Sequence, residues 1–525
     1  MSAISPAALV LRDVHRTFRD RVVLDGIELT APPGQRVGLV GENGSGKSTL
    51  LRIAAGLDVP DGGEVHRPAD LGYLAQDTGL GTRHTVGRVL RDALAPLHAM
   101  VTEVERAADA LPTDAAAYDR ALEDATSHDA WDADRRAQEA AARLGLEQID
   151  PSTRVGELSG GQRARLALAA LLTRRPACLL LDEPTNHVDD DGLDFLESQL
   201  LSMPGVVLIA THDRVLLDRV CTTIVDLDPS HFGSDGDGGR VFTGSYAAYV
   251  RAKEQARTQW LEAFIAQREE LEELRKAART TNLDIAHDRG PRDGDKYIYG
   301  FKGSRVQATV SRRRRNAEQR IAAVERELIP KPPVPLRFRG AIAGAAGASA
   351  TVRDLFVEGR VAVDRLDIAT GDKLLLTGPN GSGKSSLLAV LAGRLAPDRG
   401  RLDVHVRRVG LLPQQVTFTD PRALPVDLYA ATDPPVPLRE LGLLHPRDLR
   451  SAVGELSVGQ QHRLALALLL AEQADLLLLD EPTNHLSPAL VEELEAAVRE
   501  TTVTVVIASH DRWLRARWEG SAYRL

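Results

Sequence analysis

The sequence predicts an α/β fold that occurs twice, with a long α-helical hairpin between the two copies. Three observations support this prediction. A strand, a glycine-rich turn and a helix follow one another in QRVGLVGENGSGKSTLLRIAAG and again in LLLTGPNGSGKSSLL. Buried apolar strands end in the same polar residues in both copies, as in CLLLDEPTNH and LLLLDEPTNH. The segment between the copies has the apolar periodicity of amphipathic helices.

Length and composition indicate an ordinary globular protein of several domains. The chain has 525 residues and a mean hydropathy of -0.19, which allows two or more domains with their own cores. The first residues lack the basic start and apolar core of a signal peptide, and no apolar run approaches the roughly 20 residues that span a bilayer. Only two cysteines occur, Cys178 and Cys221, which fits a reducing compartment and excludes an iron–sulfur or zinc-cluster domain. We expect a cytoplasmic protein.

Charge is distributed unevenly. Residues 245–335 contain 19 Lys and Arg against 13 Asp and Glu, a charge of +6, so the remainder carries -15 of the total of -9. A basic segment on an acidic body indicates a polyanionic partner at that segment. The alternative is a solvated, charged helix face.

The first copy, residues 1–244, begins with two predicted antiparallel strands and then contains a P-loop between a strand and a helix. The glycines let backbone N–H groups close around phosphate oxygens. Lys47 would neutralise the β- and γ-phosphates, and the Ser48 hydroxyl would ligate Mg²⁺. The predicted nucleotide-binding residues of the loop are Gly41, Asn43, Gly44, Gly46, Lys47, Ser48 and Thr49.

Further polar motifs follow at strand ends and at a helix start. Gln76 follows a strand, where it could contact a metal ion and water or could simply be solvated. Asp182 suits Mg²⁺ binding through water, Glu183 suits polarising the attacking water, and His212 suits sensing the γ-phosphate. Several helices are predicted in residues 84–150. The sequence LSGGQ at a helix start would face phosphate with Ser159, Gly160, Gly161 and Gln162.

The second copy, residues 336–525, repeats these motifs at constant spacing. Ser159 to Ser457, Glu183 to Glu481 and His212 to His510 are each 298 residues apart, whereas Gly41 to Gly378 is 337. The 39 additional residues of the first copy therefore lie in its helical part. The predicted site residues of the second copy are Gly378, Asn380, Gly381, Gly383, Lys384, Ser385, Ser386, Gln414, Ser457, Gly459, Gln460, Asp480, Glu481 and His510. Gln414, Ser385 and Asp480 are its predicted metal-contacting residues.

Three departures distinguish the second copy. Its signature reads LSVGQ, with Val458 in place of a glycine. Ser487 stands where the first copy has Asp189, which predicts asymmetric coupling between the two sites. No obvious aromatic corresponds to Phe18, which precedes the first P-loop by 23 residues; Phe356 is the nearest.

The intervening segment, residues 245–335, predicts an antiparallel helical hairpin of about 40 to 50 Å. One apolar stripe contains Trp260, Phe264, Leu271, Leu274 and Ala278, and the other contains Val306, Val310, Ala317, Ile321, Val324 and Leu328. The tip and the start of the return arm interleave aromatic and basic residues, namely Lys296, Tyr297, Tyr299, Phe301, Lys302, Arg305 and Arg312 to Arg315. These could stack on bases and meet phosphates, or could merely pack the tip.

The motif order P-loop, Gln, LSGGQ, Asp-Glu and His resembles that of the ABC ATPase superfamily over nearly the whole chain. The resemblance implies two P-loop ABC ATPase domains, each with a mixed sheet core, a helical subdomain and an antiparallel β subdomain. It also implies that ATP and Mg²⁺ are sandwiched between the P-loop of one cassette and the signature of the other, with Phe18 stacking on adenine. A core aromatic is the alternative for Phe18.

The DEPTNH sequence in both cassettes and the long basic hairpin make the chain similar to the ABC-F family. That resemblance implies a cytoplasmic ATPase that acts on the 70S ribosome as a monomer, with the linker reaching toward P-site tRNA, rRNA and the peptidyl-transferase centre. Between the two subgroups, the linker stretch RDGDKYIYGFKGSRVQATVSRRRRNAEQRI looks more like antibiotic-resistance proteins of drug-producing actinobacteria than like general translation factors, and the Ala/Arg/Gly-rich composition is consistent with such a source. The ATPase subunit of an exporter with separate membrane chains is a further alternative.

Overall fold

The computed structural model describes residues 8–18, 21–42, 44–75, 79–109, 114–186, 188–228, 240–279, 312, 315–332, 336, 338, 342, 344, 347–379, 381–483, 486 and 488–525. These form two compact units. One consists of Met1–Asp228, Thr243–Ala247 and Pro335–Leu525 and contains both repeats, and the other consists of Pro229–Phe242 and Ala248–Val334.

The first repeat alternates strands and helices. Its elements are β1 (Leu9–Phe18), β2 (Arg21–Ala31), β3 (Arg36–Val40), α1 (Lys47–Ala55), β4 (Gly62–His66), β5 (Leu71–Leu74), α2 (Val86–Asp109), α3 (Ala115–Ser127), α4 (Ala133–Arg143), α5 (Gly160–Arg174), β6 (Cys178–Asp182), α6 (Asp190–Ser202), β7 (Val206–Ala210), α7 (Arg214–Val220), β8 (Thr223–Asp226) and β9 (Val241–Thr243).

The second repeat follows the same plan with fewer helices before its signature. Its elements, numbered after the linker helices α8 (Tyr246–Arg279) and α9 (residues 315–326), are β10 (Ser349–Val357), β11 (Val361–Ile368), β12 (Lys373–Thr377), α10 (Lys384–Leu391), β13 (Arg399–His405), β14 (Val409–Leu412), α11 (Pro425–Ala430), α12 (Leu438–Leu441), α13 (Val458–Ala471), β15 (Leu476–Asp480), α14 (Pro488–Glu500), β16 (Thr504–Ala508), α15 (Arg512–Ala516) and β17 (Ser521–Arg524).

Each repeat has one large sheet and one small antiparallel sheet. The large sheets have the orders β5-β6-β7-β3-β8-β9 and β14-β15-β16-β12-β17, and the small ones β2-β1-β4 and β11-β10-β13. Strands β6, β7, β15 and β16 are buried at every position, as parallel strands covered on both faces require. The predicted α/β fold class is confirmed.

The large sheet brings the separated motifs together. Strands β6, β7 and β3 are parallel neighbours, and so are β15, β16 and β12. The P-loop follows β3, Asp182 ends β6, and His212 follows β7. Because the carboxyl ends of parallel strands meet at one edge, these groups share a crevice.

In the linker unit, α8 and α9 run antiparallel, as the hairpin prediction requires. Trp260 Nε1 donates to the Pro330 carbonyl at 2.8 Å, and the Gln267 amide bonds the Glu327 carbonyl and the Ile329 N–H, each at 2.8 Å. Trp260, Leu271 and Ala317 are buried, whereas Leu328 is 56% exposed and leaves the predicted stripe. Val306, Val310 and the tip residues 283–305 lie outside the described residues. No helix of the described chain combines the length and apolarity needed to cross a membrane.

Candidate functional site

The two P-loops have the same internal geometry. Gly46 and Gly383 cap α1 and α10 with φ of 102° and 97°, and a Cβ at Gly46 would lie 2.8 Å from Leu24. These conformations favour glycine. The Lys47 ammonium donates to the carbonyls of Gly41 at 2.7 Å and Glu42 at 3.2 Å. Lys384 does the same with Gly378 at 2.8 Å and Pro379 at 3.0 Å.

Both lysines are buried beside carboxylates. Burial lowers the pKa of Lys47, while nearby Glu183, Asp228 and Asp182 raise it. Lys384 shows the same balance, with burial outweighing Glu481, Asp480 and Asp189. Each buried ammonium group places a compact positive charge at its P-loop, where it can bind phosphate oxygens.

A hydroxyl and a carboxylate meet beside each P-loop. Ser48 hydrogen-bonds the Asp182 carboxyl group, and Ser385 bonds that of Asp480. Burial raises the pKa of both aspartates despite these bonds. Two oxygen ligands held together in this way fit Mg²⁺, which prefers few protein ligands and retains several waters.

The glutamates that directly follow strands β6 and β15 adopt an unusual backbone conformation. Glu183 and Glu481 each have φ of 50°, in the left-handed region that costs a non-glycine residue of order 1–3 kcal/mol. Their N–H groups donate to Ala210 and Ala508 at the ends of the neighbouring strands, each at 2.8 Å. This geometry holds each glutamate at the carboxyl edge of its sheet, next to the P-loop.

Each of these glutamates contacts the histidine of its own repeat. The Glu183 carboxylate accepts from the His212 N–H at 3.4 Å and lies 3.6 Å from its Nε2. Glu481 accepts from the His510 N–H at 3.0 Å and lies 3.8 Å from its Nε2. Burial raises the pKa of each glutamate to about 7. A carboxyl group with this pKa can accept a proton near neutral pH.

The signature segments begin helices with identical capping boxes. The Ser159 hydroxyl accepts from the Gln162 N–H, and the Gln162 side chain accepts from the Ser159 N–H at 2.9 Å. Ser457 and Gln460 repeat this arrangement. A Cβ at Gly160 would meet no atom within 4 Å, and Val458 at the equivalent position is 68% exposed. The space around this position explains why valine fits in the second signature.

The aromatic of the first repeat has no structural counterpart in the second. Leu9 pairs with Ala31 in the first hairpin, 22 residues along the chain, whereas Ala350 pairs with Ile368, only 18 residues along. The second hairpin is therefore four residues shorter over both strands, and its first strand ends at Val357. Phe18 is 45% exposed with the Arg16 guanidinium 4.8 Å from its ring. Phe356 instead lies beneath Arg399, on the strand face opposite the buried Leu355 and Val357.

The structure describes most of the remaining predicted site residues, and four lie outside the described residues. Gly44 and Gly381 have φ of 82° and 84°, Thr49 and Ser386 lie in the first turns of α1 and α10, and the Gln414 N–H hydrogen-bonds the Asp480 carboxyl group. Gly161 and Gly459 lie in the first turns of α5 and α13. Asn43, Gln76, Asn380 and Ser487 lie outside the described residues.

The structure adds polar groups that motif reading missed. Asp228 accepts from the Glu42 N–H at 2.6 Å and so supports the first P-loop from the end of β8. The Ser509 hydroxyl donates to Glu481 at 3.3 Å, and Thr211 hydrogen-bonds Glu183. A hydroxyl residue immediately before the histidine in both repeats was a signal for the last two.

Groups of each repeat approach the P-loop of the other. His445 Nε2 lies 3.5 Å from the Glu42 carboxylate. Glu42 also raises the pKa of Arg463 in α13, against a larger lowering by burial. Asp189 is among the charges acting on Lys384. The repeats therefore face each other across both P-loops.

Comparison with known proteins matches this arrangement to one family. The family model described as "ABC transporter" matches residues 24–186 and 363–484. Tylosin resistance ATP-binding protein TlrC of Streptomyces fradiae is 39% identical, covering 99% of this chain and 98% of its own. Energy-dependent translational throttle protein EttA of Escherichia coli K12 is 31% identical, covering 95% and 88%. The chain belongs to the ABC-F family of twin-cassette ABC ATPases.

As an ABC-F protein the chain is an ATP hydrolase, and its two repeats are its ATPase cassettes. Solved structures support the fold. An RNase-L inhibitor has a TM-score of 0.55 at 18% identity, covering 95% of this chain and 85% of its own. An archaeal ribosome recycling factor in complex with a ribosomal stalk protein has a TM-score of 0.56 at 18% identity, covering 97% and 85%.

Proposed function

We propose that this ABC-F ATPase binds the 70S ribosome in its ATP-closed form and protects it from macrolide, lincosamide or streptogramin antibiotics. The observation that carries the proposal is the 39% identity over nearly the full length to a protein named for tylosin resistance. A general translation factor is the second candidate, favoured by the 31% identity to translational throttle proteins. We find no support for an exporter subunit.

Two composite ATP sites would form when the cassettes close, with Lys47 facing Ser457 and Lys384 facing Ser159. The approach of His445 to Glu42, at 3.5 Å, supports this pairing. In this proposal Lys47 and Lys384 neutralise the phosphates. Mg²⁺ would be held by Ser48 with Asp182 and by Ser385 with Asp480, and would supply further positive charge.

Hydrolysis would depend on the glutamate and histidine of each site. Glu183 and Glu481 would orient the attacking water and accept its proton, since their pKa of about 7 allows both protonation states near neutral pH. His212 and His510 would contact the γ-phosphate, and Phe18 would stack on adenine in the first site alone. Loss of the γ-phosphate would remove the ligand that favours the closed form and so release the ribosome.

The linker would be the part that acts on the ribosome. We assign residues 1–244 and 336–525 to the two cassettes and 245–335 to the linker, in a cytoplasmic monomer whose cassettes pair with each other. The charge of +6 on residues 245–335 supports contact with rRNA and P-site tRNA. Residues 283–305 would face the peptidyl-transferase centre and set specificity.

The test is ATP-dependent co-sedimentation of the Glu183→Gln, Glu481→Gln double variant with 70S ribosomes. We expect strong enrichment with ATP and little without nucleotide, because the variant closes but does not reopen. A double variant with Lys47→Ala and Lys384→Ala, which cannot close on ATP, should remain in the supernatant. Equal sedimentation with and without ATP would contradict the ribosomal proposal.

The two candidate functions separate in a drug-sensitive host. Expression of the wild-type chain should raise the inhibitory concentration of at least one of a macrolide, a lincosamide and a streptogramin, whereas the Lys47→Ala, Lys384→Ala variant should not. Unchanged values for all three drugs, together with ATP-dependent ribosome binding, would favour the translation factor.

A further inference from the structure

An arginine follows the His-Asp pair in both cassettes, and its two copies make different contacts. Arg214 and Arg512 are 298 residues apart, the spacing of the catalytic motifs. Arg512, with a side chain 12% exposed, places its Nη2 2.6 Å from Glu197 Oε1 and 3.2 Å from Asp213 Oδ2. Both carboxylates belong to the first cassette, so the second cassette inserts a cation into the first.

Glu197 is shielded from water. Its side chain is only 8% exposed and also lies 3.0 Å from Arg219 of its own cassette. Ionic attraction is screened least where water is excluded. Asp213 directly follows His212 and caps α7, accepting from the Val215 and Leu216 N–H groups at 2.9 Å. Arg512 therefore connects the segment after His510 to the segment after His212.

The opposite half of the interface lacks this arrangement. Arg214 contacts Glu492 at 2.9 Å, but that carboxylate is 55% exposed. Glu495 occupies the position equivalent to Glu197, and among the described residues no cation lies within 4.0 Å of it. Burial raises the pKa of Glu495. It is thus a buried carboxyl group without the two close cations that Glu197 has.

Trp513 accounts for the difference. It stands where the first cassette has Val215, and the guanidinium groups of Arg214 and Arg517 lie 5.6 Å and 5.8 Å from the centre of its ring. Arg517 is the counterpart of Arg219. Both guanidinium groups thus lie beside the indole ring, and they act on Glu495 as nearby charges without pairing with it at close range.

We propose that Arg512 is a positioning residue that couples the approach of the two cassettes to the placement of His510 against Glu481. The segment from His510 to Arg512 is short, and Asp511 fixes its far end by accepting from the Trp513 N–H at 2.8 Å and the Leu514 N–H at 3.1 Å. Anchoring Arg512 in the first cassette therefore sets the position of His510. Arg214 contributes less at the first site. This inference rests on the proposed roles of Glu481 and His510.

The experiment compares equivalent substitutions in the full chain by steady-state ATP hydrolysis. In a Glu183→Gln background, which leaves Glu481 as the catalytic glutamate, Arg512→Ala should lower kcat about tenfold with little change in KM, as for a typical coupling between sites. Arg512→Lys should recover part of the loss. In a Glu481→Gln background, Arg214→Ala should lower kcat by about threefold or less, because its partner Glu492 is 55% exposed and water screens the attraction, although the Arg214 side chain itself is buried.

Carboxylate substitutions provide a second, milder test. Glu197→Gln should lower kcat of the second site, and adding it to Arg512→Ala should cost little more, since Arg512→Ala has already removed the contact with Glu197. Glu495→Gln is the matched control and should leave kcat within about twofold. Equal losses for Arg512→Ala and Arg214→Ala, or additive losses for Glu197 and Arg512, would overturn the inference. Residual ATP hydrolysis in the Glu183→Gln, Glu481→Gln variant would instead contradict the proposed catalytic roles.

Discussion

The two ATP sites share their innermost groups and differ in what surrounds them. Both have a lysine folded over its P-loop, a serine bonded to an aspartate, and a glutamate with φ of 50° against a histidine. Their surroundings diverge. Within the described parts of the chain, the first alone has an aromatic at the end of its hairpin strand, and the second alone sends an arginine to a buried carboxylate of the other cassette.

The shared groups are those proposed to hydrolyse ATP, whereas the unlike groups surround them and would regulate hydrolysis. Duplication of the candidate catalytic groups is what our proposal of two hydrolysing sites requires. In that proposal the unlike surroundings would act on nucleotide affinity and on the response to cassette closure, which two sites can adjust independently. The cassettes also differ outside the ATP sites. The first has 39 more residues between its P-loop and its signature, in the region of helices α2 to α4.

Equal chemistry in the two sites predicts equal pH profiles. In Glu183→Gln and in Glu481→Gln, each of which retains one catalytic glutamate, kcat/KM should rise about tenfold from pH 6 to pH 8. The ionised carboxylate accepts the proton, and with a pKa of about 7 it is mostly protonated at pH 6. A glutamate at its ordinary pKa of 4.5 would give a flat profile over this range.

Nucleotide binding measured across the same pH range corrects for the titration of ATP itself. Midpoints that differ by more than about one pH unit between the two variants would show that the shared geometry does not give shared chemistry, and would locate the asymmetry in the glutamates.

The aromatic at the first hairpin predicts unequal nucleotide affinity. Phe18→Ala should raise KM for ATP at the first site about fivefold in a Glu481→Gln background, which corresponds to about 1 kcal/mol of lost stacking on the base. Phe356→Ala in a Glu183→Gln background is the matched control and should leave KM within about twofold, because the second hairpin is four residues shorter and Phe356 does not end its strand as Phe18 does. A comparable rise in both would show that Phe356 also reaches the nucleotide.

Sequence reasoning predicted the parts of the site that obey local rules. The P-loops, the capped signature helices and the buried strands before Asp182 and Asp480 follow from glycine placement, capping boxes and apolar runs. The contacts of Arg512 could not be predicted, because its partners lie about 300 residues away and the adjacent Trp513 does not indicate which carboxylates they are. The missing counterpart of Phe18 needed the register of a second hairpin. Motif spacing from the P-loop alone does not reveal that this hairpin is four residues shorter.

The smallest expected effect concerns the unlike signatures. Gly160→Val gives the first signature the residue that the second already has, and it should change kcat and KM by less than about twofold. A Cβ at Gly160 would meet no atom within 4 Å, the equivalent Val458 is 68% exposed, and Gly160 begins α5 without a positive φ, so we expect no strain. Val458→Gly is the reciprocal variant and should be equally mild. A large loss in Gly160→Val alone would show that closure brings the Lys384 site nearer to its opposing signature than the Lys47 site comes to Val458. The asymmetry of the two sites would then include the signatures as well as the hairpin and the arginines.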